Sequence, residues 1–352
     1  MDNMQTALQK AIEAKASDIF IISGYPMAFK IHDEIQPVDD QRLMPDDTKD
    51  LIHQIYALCD NRKMDNLLET GDDDFSFSIK GLGRFRCNAY KQRNSLAAVL
   101  RVVYFQLPDY RQLHIPETVM QMAGGKKGLI LVTGSAGSGK STTLACIIDR
   151  INNTRRSHII TIEDPIEFLH SHKMSIISQR EVSHDTNSYA DALRGALRQS
   201  PNVILLGEMR DFATINTALT AAETGQLVLS TLHTIGAAKT VDRIVDVFPA
   251  DQQRQVRVQL SMVLEGVVSQ QLLPAKDGGL VPAFEIMKVN NAIRNLIREG
   301  KTHQIENAIF SGASEGMRTM DSDILQLYKQ GKITRDVALL YSVNPDVLEK
   351  KL

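Results

Sequence analysis

The sequence lacks several features that would place it in a specialised class of protein. Only three cysteines occur among its 352 residues, Cys59, Cys87 and Cys146, and none belongs to a C-x-x-C pair. Their scarcity excludes a disulfide framework and a zinc ribbon and favours a reducing compartment. The N-terminal stretch contains no apolar core of a signal peptide, and no apolar run approaches the ~18 residues that span a bilayer. A cytosolic, soluble protein is therefore expected.

The sequence also has no large excess of positive or negative charge. Lysine and arginine together number 40 and aspartate and glutamate 42, which leaves a formal net charge of −2. Aromatic residues make up only 5% of the chain and are not interleaved with a basic stripe, so we expect no nucleic-acid partner. An apolar content of 43% and a charged content of 23% are ordinary for globular proteins. The length suggests two domains.

The first part of the chain mixes helices with strands of antiparallel character. This pattern predicts an α+β domain over 1–105. Two prolines in the following stretch QLPDYRQLHIP indicate an interdomain linker over 106–117. The acidic run at 71–74 is typical of a solvated turn. Helices are predicted at 3–15 and, as a pair, within 46–70; strands are predicted at 18–24, at 28–38 with a turn, and at 74–80, 83–91 and 97–105.

The second part of the chain, 118–352, alternates near-continuous apolar strands with helices. Strands of this kind form a parallel sheet covered by helices on both faces, which predicts an α/β domain. Beyond about residue 250 the pattern is mostly helical. The predicted strands are 129–133, 159–162, 203–206 and 227–231, and the predicted late helices are 252–273, 291–300, 302–310, 321–330 and 334–340.

One stretch of the second domain carries a specific chemical signal. The residues from Gly134 to Ser141 fit the pattern G-x-x-x-x-G-K-[ST], between an apolar strand at 128–133 and a helix at 142–150. Glycines let backbone N–H groups approach phosphate oxygens closely, and the helix directs its positive end at the same point. In this pattern Lys140 reaches the β- and γ-phosphates and the serine binds Mg²⁺. The sequence therefore predicts a nucleotide-binding site.

Acidic residues follow two other predicted strands of this domain. The stretch NVILLGEMRD runs into Glu208, and HIITIEDPIEF runs into Glu163 and, beyond a turn, Glu167. Such residues lie at the carboxyl edge of a parallel sheet, where ligands bind. A carboxylate there could hold Mg²⁺ or orient water for the hydrolysis of a nucleotide. The alternative is that these acids only mark the starts of loops.

Histidine and arginine side chains supply further candidates. His233 ends the strand LVLSTLHT and could contact the γ-phosphate, or merely cap a loop. Arg84 and Arg86 share one face of a strand in the first domain because side chains alternate, and Arg101 lies on the next strand among apolar neighbours. Guanidinium groups there could bind a transferring phosphate. The alternative is a solvated strand face with acidic partners.

Taken together, these segments resemble the PilT family of type IV pilus twitching-motility ATPases, within the secretion ATPase superfamily. The resemblance covers nearly the whole chain and implies a RecA-like P-loop ATPase domain with a helical C-terminal extension, preceded by a smaller PAS-like α+β domain. It also implies a homohexamer that hydrolyses ATP with Mg²⁺ to power pilus retraction. The matching segments are GSAGSGKSTTLA, TIEDPIEF, SQREV, ALRGALRQSPNVILLGEMRD, TALTAAETGQLVLSTLHT, AAKTVDRIVDVFP and AIRNLIRE.

The resemblance also implies a role for each candidate residue. Glu167, in preference to Glu163, would polarise the attacking water. Glu208 and Ser141 would lie at Mg²⁺, and His233 would belong to the His box. The segment AIRNLIRE would serve retraction rather than hydrolysis. The arginines offered to the nucleotide by the N-terminal domain would be Arg84, Arg86 and Arg101. The nucleotide-binding Walker A residues would be Gly134, Ser135, Ala136, Gly137, Ser138, Gly139, Lys140, Ser141 and Thr142.

The resemblance further implies partners and a place in the cell. The partners are other copies of the chain, an inner-membrane pilus platform protein and other pilus ATPases, and the location is the cytoplasm, peripheral at the inner face of the cytoplasmic membrane. A close alternative is a PilU-like accessory retraction ATPase. More remote alternatives are a RecA-like nucleic-acid motor, which DNA-stimulated ATPase activity would support, and a nucleotide-gated scaffold without turnover.

Overall fold

The chain forms two compact units, residues 1–106 and 107–352, each with its own sheet and its own hydrophobic core. The computed structural model describes residues 3–31, 34–59, 61–103 and 107–352. In those ranges, no helix is both long enough and apolar enough to cross a bilayer.

The first unit combines helices with an antiparallel sheet. Its strands are ordered β3-β2-β1-β6-β5-β4, so the predicted α+β architecture is confirmed. The stretch 34–42, whose first part was predicted as a turn, is instead a strand paired with β2. The elements are α1 (Met4–Glu13), β1 (Asp18–Ile21), β2 (Pro26–Ile31), β3 (Glu34–Arg42), α2 (Pro45–Leu58), α3 (Asp65–Thr70), β4 (Asp72–Ile79), β5 (Gly83–Gln92) and β6 (Ser95–Val103).

The core of the first unit lies between α1, α2 and one face of the sheet. Along β5, Phe85 and Cys87 are fully buried, while Arg84 and Arg86 point to the other face. Leu8 and Leu51 reach the same core from the two helices. The alternation that the sequence predicts for this strand is therefore present, and it leaves the arginine-bearing face outside the core.

The acidic run at 71–74 differs from its prediction as a solvated turn. Asp73 is the second residue of β4 and is buried. Its carboxylate accepts hydrogen bonds from Tyr56 Oη (2.8 Å), Arg62 Nε and Nη2 (3.1 and 3.0 Å) and Asn66 Nδ2 (3.1 Å). Burial raises the pKa of Asp73, but the hydrogen bonds outweigh it and hold that pKa below its ordinary value. The prediction failed because the donors come from α2, α3 and the segment between them, which precede the strand.

The boundary between the two units lies between residues 106 and 107. Residues 104–106, which include the end of the predicted strand 97–105, lie outside the described residues. From Leu107 onward the chain packs on the second unit: Tyr110 and Leu113 contact its core, and Ile115 is buried there. Apolar side chains spaced along this proline-containing stretch explain why it adheres to the second unit.

The second unit is an α/β domain built on a mostly parallel sheet. The strands are ordered β13-β12-β7-β11-β10-β8-β9, and only the β12–β13 pair is antiparallel. The helices are α4 (Glu117–Gln121), α5 (Lys140–Thr154), α6 (Tyr189–Ala196), α7 (Phe212–Glu223), α8 (Ala237–Asp246), α9 (Gln253–Val263), α10 (Asn291–Arg298), α11 (Ile305–Ser311), α12 (Met320–Lys329), α13 (Arg335–Tyr341) and α14 (Pro345–Glu349). The strands are β7 (Gly128–Thr133), β8 (His158–Glu163), β9 (Ile176–Glu181), β10 (Val203–Leu206), β11 (Leu227–Leu232), β12 (Leu264–Pro274) and β13 (Leu280–Lys288).

The four strands predicted from the sequence become the central neighbours β7, β11, β10 and β8. Hydrophobic residues cover both faces of this sheet, with Ile160 and Leu206 in one core and Ile130 and Leu229 in the other. This two-sided burial explains why the strands read as continuous apolar runs in the sequence.

The predicted helix over 252–273 is wrong in its second half. Helix α9 ends at Val263, and the chain continues as β12 beside β7, followed by β13. The helical spacing of apolar residues runs on past the end of α9, through Val256, Leu260 and Leu264, although Leu264 already belongs to β12. The residues of β12 are buried on both faces of the sheet. A strand buried in this way does not alternate, so periodicity alone cannot distinguish it from a helix.

Asp73→Ala is expected to lower the free energy of unfolding of the first unit by about 2–4 kcal/mol, because Arg62 and Tyr56 lose their shared acceptor. The neighbouring Asp72→Ala is the matched control, since Asp72 is exposed; its expected effect is under about 0.5 kcal/mol. Chemical denaturation monitored by circular dichroism measures both. Equal losses for the two variants would contradict the structural role of Asp73.

Candidate functional site

The loop after β7 is shaped by close contact with the neighbouring strand β12. Gly134 has φ +143° and Gly139 has φ +86°, which are conformations that favour glycine. A Cβ atom on Gly134 would collide with the main-chain oxygen of Gln270, and one on Gly139 would lie 2.8 Å from Gln270 Nε2. The same glutamine accepts a hydrogen bond from Thr143 Oγ1 at 2.7 Å. Glycine is therefore required at these two positions because a larger residue would collide with Gln270, in addition to the chemical reason that glycines let the backbone approach phosphate.

Lys140 begins α5 and folds back over this loop. Its Nζ donates to the carbonyl oxygens of Gly134 (2.9 Å) and Ser135 (2.8 Å). Burial lowers the pKa of the Lys140 ammonium, and the charges of Glu167 and Glu208 oppose that shift. The positive charge is thus held at the mouth of the loop between main-chain oxygens and two carboxylates.

Three parallel strands bring the remaining candidates to the same edge of the sheet. Glu163 is the last residue of β8, Glu208 follows β10, and His233 follows β11. Glu208 forms an ion pair with Arg210 Nε at 2.6 Å and lies 3.3 Å from His233 Nε2. The expectation that strand ends would gather these groups at one edge agrees with this arrangement.

Glu167 and Glu163 occupy different surroundings on the segment after β8. Glu167 is exposed, and its Oε1 accepts a hydrogen bond from Ser141 Oγ at 3.0 Å. The half-buried Glu163 accepts from Thr161 Oγ1 at 2.6 Å. Burial raises the pKa of Glu163 to about 7, although the hydrogen bonds from Thr161 and Gln179 act in the opposite direction.

These groups face one open cavity of about 560 Å³ in the second unit. The predicted site residues Gly134, Ser135 and Ser138 lie in the loop but do not line the cavity, and Ser138 is buried. The predicted residues that line it are Ala136, Gly137, Gly139, Lys140, Ser141, Thr142, Glu163, Glu167, Glu208 and His233.

The three predicted arginines lie on one face of the sheet of the first unit. Arg86 is paired directly across the strands with Arg101. Arg86 Nη2 contacts Asp74 Oδ2 at 2.5 Å, and Arg101 Nε contacts Asp18 Oδ1 at 3.1 Å. Arg84 Nη1 lies 3.5 Å from Ser78 Oγ. These contacts match the alternative of a strand face with acidic partners, and a role toward a nucleotide stays a prediction.

Sequence reasoning missed several residues of the site. Arg210 and Tyr189 line the cavity, and burial raises the pKa of the tyrosine well above its ordinary value. Gln270 supports the loop from β12, and the next residue, Gln271, donates its Nε2 to the main-chain oxygen of Tyr341 at 3.2 Å. Arg210 stands two residues after Glu208, a signal that could have identified it. The glutamines lie on a strand that was predicted as a helix, so no sequence signal connected them to the site.

A search against protein-family models gives the relationship that these features suggest. The model described as "Type II/IV secretion system protein" matches residues 2–332. The chain belongs to this family. As a member of it, the chain is an ATPase with an N-terminal domain and a P-loop ATPase domain.

Several individual relatives of this secretion ATPase are named as ATPases of type IV pili or as a pilus motor. The "Type IV pilus retractation ATPase PilT" of Pseudomonas aeruginosa strain PAO1 is 45% identical over 323 residues, which cover 92% of this chain and 93% of the relative. The "Type IV pilus ATPase PilU" of the same organism is 38% identical over 336 residues, which cover 95% of this chain and 87% of the relative. A solved structure, "Crystal Structure of the Pilus Retraction Motor PilT and Bound ADP", superposes with a TM-score of 0.91 at 48% identity, over 99% of both chains.

Glu163→Gln is expected to change the pH dependence of stability of this secretion ATPase. The pKa of Glu163 is about 7 in the folded protein against an ordinary 4.5, so its contribution to the free energy of unfolding falls as pH rises through that window. The variant should match wild type near pH 5 and exceed it by about 1–2 kcal/mol near pH 8. Chemical unfolding without nucleotide at both pH values measures the difference.

The control is Glu223→Gln in the same unit. Glu223 is exposed, and its Oε2 accepts a hydrogen bond from Gln259 Nε2 at 2.8 Å that a glutamine oxygen can also accept, so the variant should differ from wild type by the same small amount at both pH values. A Glu163→Gln variant that differs from wild type equally at pH 5 and pH 8 would refute the assigned cause.

Proposed function

We propose that this chain hydrolyses ATP with Mg²⁺ to power the retraction of type IV pili. The observation that carries this proposal is one cavity that joins a phosphate-binding loop, a buried lysine and carboxylates from neighbouring parallel strands. In the proposed setting the chain works as a homohexamer at the inner face of the cytoplasmic membrane. Its partners there are an inner-membrane pilus platform protein and other pilus ATPases, and it has no nucleic-acid partner. The named activity of the PilT relatives supports this setting.

The loop fits the polyphosphate of a nucleotide. Gly137 has φ +75° with no atom within 4 Å of where a Cβ would stand, so its backbone is open on that side. Helix α5 starts at Lys140, directly beside the loop, and directs its positive end there. Lys140 can exchange the carbonyl oxygens of Gly134 and Ser135 for phosphate oxygens, which accept more strongly because they are charged.

The nearby oxygen donors fit Mg²⁺, which prefers hard oxygen ligands and is usually held by one or two protein groups together with substrate phosphates. The Ser141 hydroxyl donates a hydrogen bond to Glu167, which leaves the lone pairs of Oγ available to a cation. Glu208 supplies a carboxylate from the end of the neighbouring strand. We assign Ser141 and Glu208 as the magnesium ligands. The bound ion would neutralise charge on the phosphates.

The carboxylates after β8 then have the task of orienting water. Glu167 is exposed, lines the cavity and already accepts a hydrogen bond from a hydroxyl, so it is the preferred residue for this task. Glu163 is the second candidate, and its pKa near 7 would let it accept a proton at neutral pH. His233, within reach of Glu208, would respond to the charge at the terminal phosphate.

Lys140→Ala is expected to reduce ATP hydrolysis at least ~100-fold, because the charge that develops on the γ-phosphate loses its main cationic partner. Phosphate release by the purified chain measures the rate. Lys127→Ala removes an exposed lysine of the same unit and should hydrolyse ATP at the wild-type rate. A Lys140→Ala protein that turns over normally would overturn the site assignment.

Glu167→Gln and Glu163→Gln separate the two candidate carboxylates. Loss of the carboxylate that orients water should lower kcat by about 100-fold or more with ADP affinity unchanged. We expect this from Glu167→Gln and a smaller loss from Glu163→Gln. The reverse order would assign the role to Glu163.

Deletion of the gene is expected to leave pili assembled but unable to retract. Fluorescence imaging of labelled pili measures retraction, and complementation with the wild-type gene or with Lys140→Ala separates loss of catalysis from loss of the protein. Pili that still retract in the deletion strain, driven by a second ATPase, would favour the accessory role that the PilU relative suggests.

A further inference from the structure

The strand β9 lies beside β8 at the edge of the sheet and carries polar side chains. Gln179 and Glu181 are two residues apart, so their side chains leave the strand on the same side. Glu181 is paired in register with Glu163, and Val182 N–H donates to the Glu163 carbonyl oxygen at 2.8 Å. The strand is therefore anchored directly to the residue from which the carboxylate segment departs.

Glu181 holds the middle of that segment. Its side chain is 2% exposed, and its Oε2 accepts a hydrogen bond from the main-chain N–H of Ile166 at 3.0 Å. Ile166 is itself buried and immediately precedes Glu167. The other carboxylate oxygen of Glu181, Oε1, lies 3.6 Å from His184 Nε2. A buried carboxylate is costly unless it is hydrogen-bonded, so this contact fixes the backbone just before Glu167.

Gln179 holds the same segment on the other side of Glu167. Its Nε2 donates to the Phe168 carbonyl oxygen at 2.9 Å, and its Oε1 accepts from the His170 N–H at 2.8 Å. The same Nε2 lies 3.5 Å from Glu163 Oε1. One amide therefore binds the main chain beyond Glu167 and also reaches the side chain of the second carboxylate.

Neither residue lines the cavity, so neither can act on a nucleotide directly. The segment between β8 and β9 has no strand or helix of its own, and its main-chain groups depend on side chains for partners. We propose that Glu181 and Gln179 are positioning residues for hydrolysis, which hold the segment 164–170 so that Glu167 and Glu163 face the phosphate-binding loop. This proposal rests on the proposed function, because it assumes that those carboxylates act on water.

The test compares Glu181→Ala with Glu181→Gln in the full chain. The alanine variant removes the acceptor for Ile166 N–H and should lower kcat by about 10- to 100-fold, since small misplacements of reacting groups are costly. ADP affinity, measured with a fluorescent ADP analogue, should stay within about 3-fold because the loop and Lys140 are untouched. The glutamine variant keeps an acceptor oxygen and should retain kcat within about 3-fold. His184→Ala removes the side chain whose Nε2 lies 3.6 Å from Glu181 Oε1 and leaves the bond to Ile166 intact, so it is the control and should behave as wild type.

A second variant keeps the test decisive if Glu181→Ala does not fold. Gln179→Leu, at a half-buried edge position, removes the bonds to Phe168 and His170 and should lower kcat by about 10-fold with ADP affinity unchanged. Wild-type kcat in both Gln179→Leu and a folded Glu181→Ala would overturn the proposal, as would equal loss in Glu181→Ala and Glu181→Gln.

Failure of the positioning role is distinguishable from failure of the proposed function. If Glu167→Gln and Glu163→Gln each hydrolyse ATP at the wild-type rate, the carboxylates do not serve catalysis and the underlying assignment fails. If those variants are inactive while Glu181→Ala and Gln179→Leu turn over normally, only the positioning role fails.

Discussion

The parallel pairing of β8, β10, β11 and β7 is the constraint on which the rest of the site depends. Leu206 pairs with Ile162 on one side and Ser230 on the other, and Leu232 pairs with Thr133. Parallel strands in register end at one edge of the sheet. Side chains that follow these strands therefore lie close together even though they are far apart in the sequence. The phosphate-binding loop, two acidic segments and a histidine meet there because the backbone ladder aligns the points at which the strands stop.

Three of the charged or polar groups at this edge are already paired in the protein alone. The lysine ammonium is bound by carbonyl oxygens of its own loop, the serine hydroxyl by Glu167, and Glu208 by Arg210. A ligand would therefore exchange partners with these three groups, whereas the buried hydroxyls of Thr133 and Ser138 have no hydrogen-bond partner among the described residues. Burial still shifts two pKa values at this edge: it lowers the pKa of Lys140 and raises that of Glu163.

The sequence predicts the parts of this protein that are local in the chain. The phosphate-binding loop is one continuous segment, and the rule that parallel strands end together is enough to place Glu163, Glu208 and His233 beside it. The alternation along β5 likewise predicts which side Arg84 takes. Support from distant strands was not predictable. Gln270 comes from a strand that has the spacing of a helix, because burial on both faces removes the alternation. Asp73 is buried by donors from α2, α3 and the segment between them, and long-range pairing of this kind leaves no periodic signal.

The strand β12 joins two regions that the chain otherwise keeps apart. Gln270 touches the glycines of the loop, while Gln271, facing the opposite side, is tied to the end of α13 at Tyr341. The strand is bonded to β7 and β13 along its length, so it cannot slide without breaking both ladders. The hydrogen bond from Gln271 to Tyr341 therefore connects the end of α13 to the same strand that supports the phosphate-binding loop. The last helices and the loop are thus supported by one common strand, on its two opposite sides.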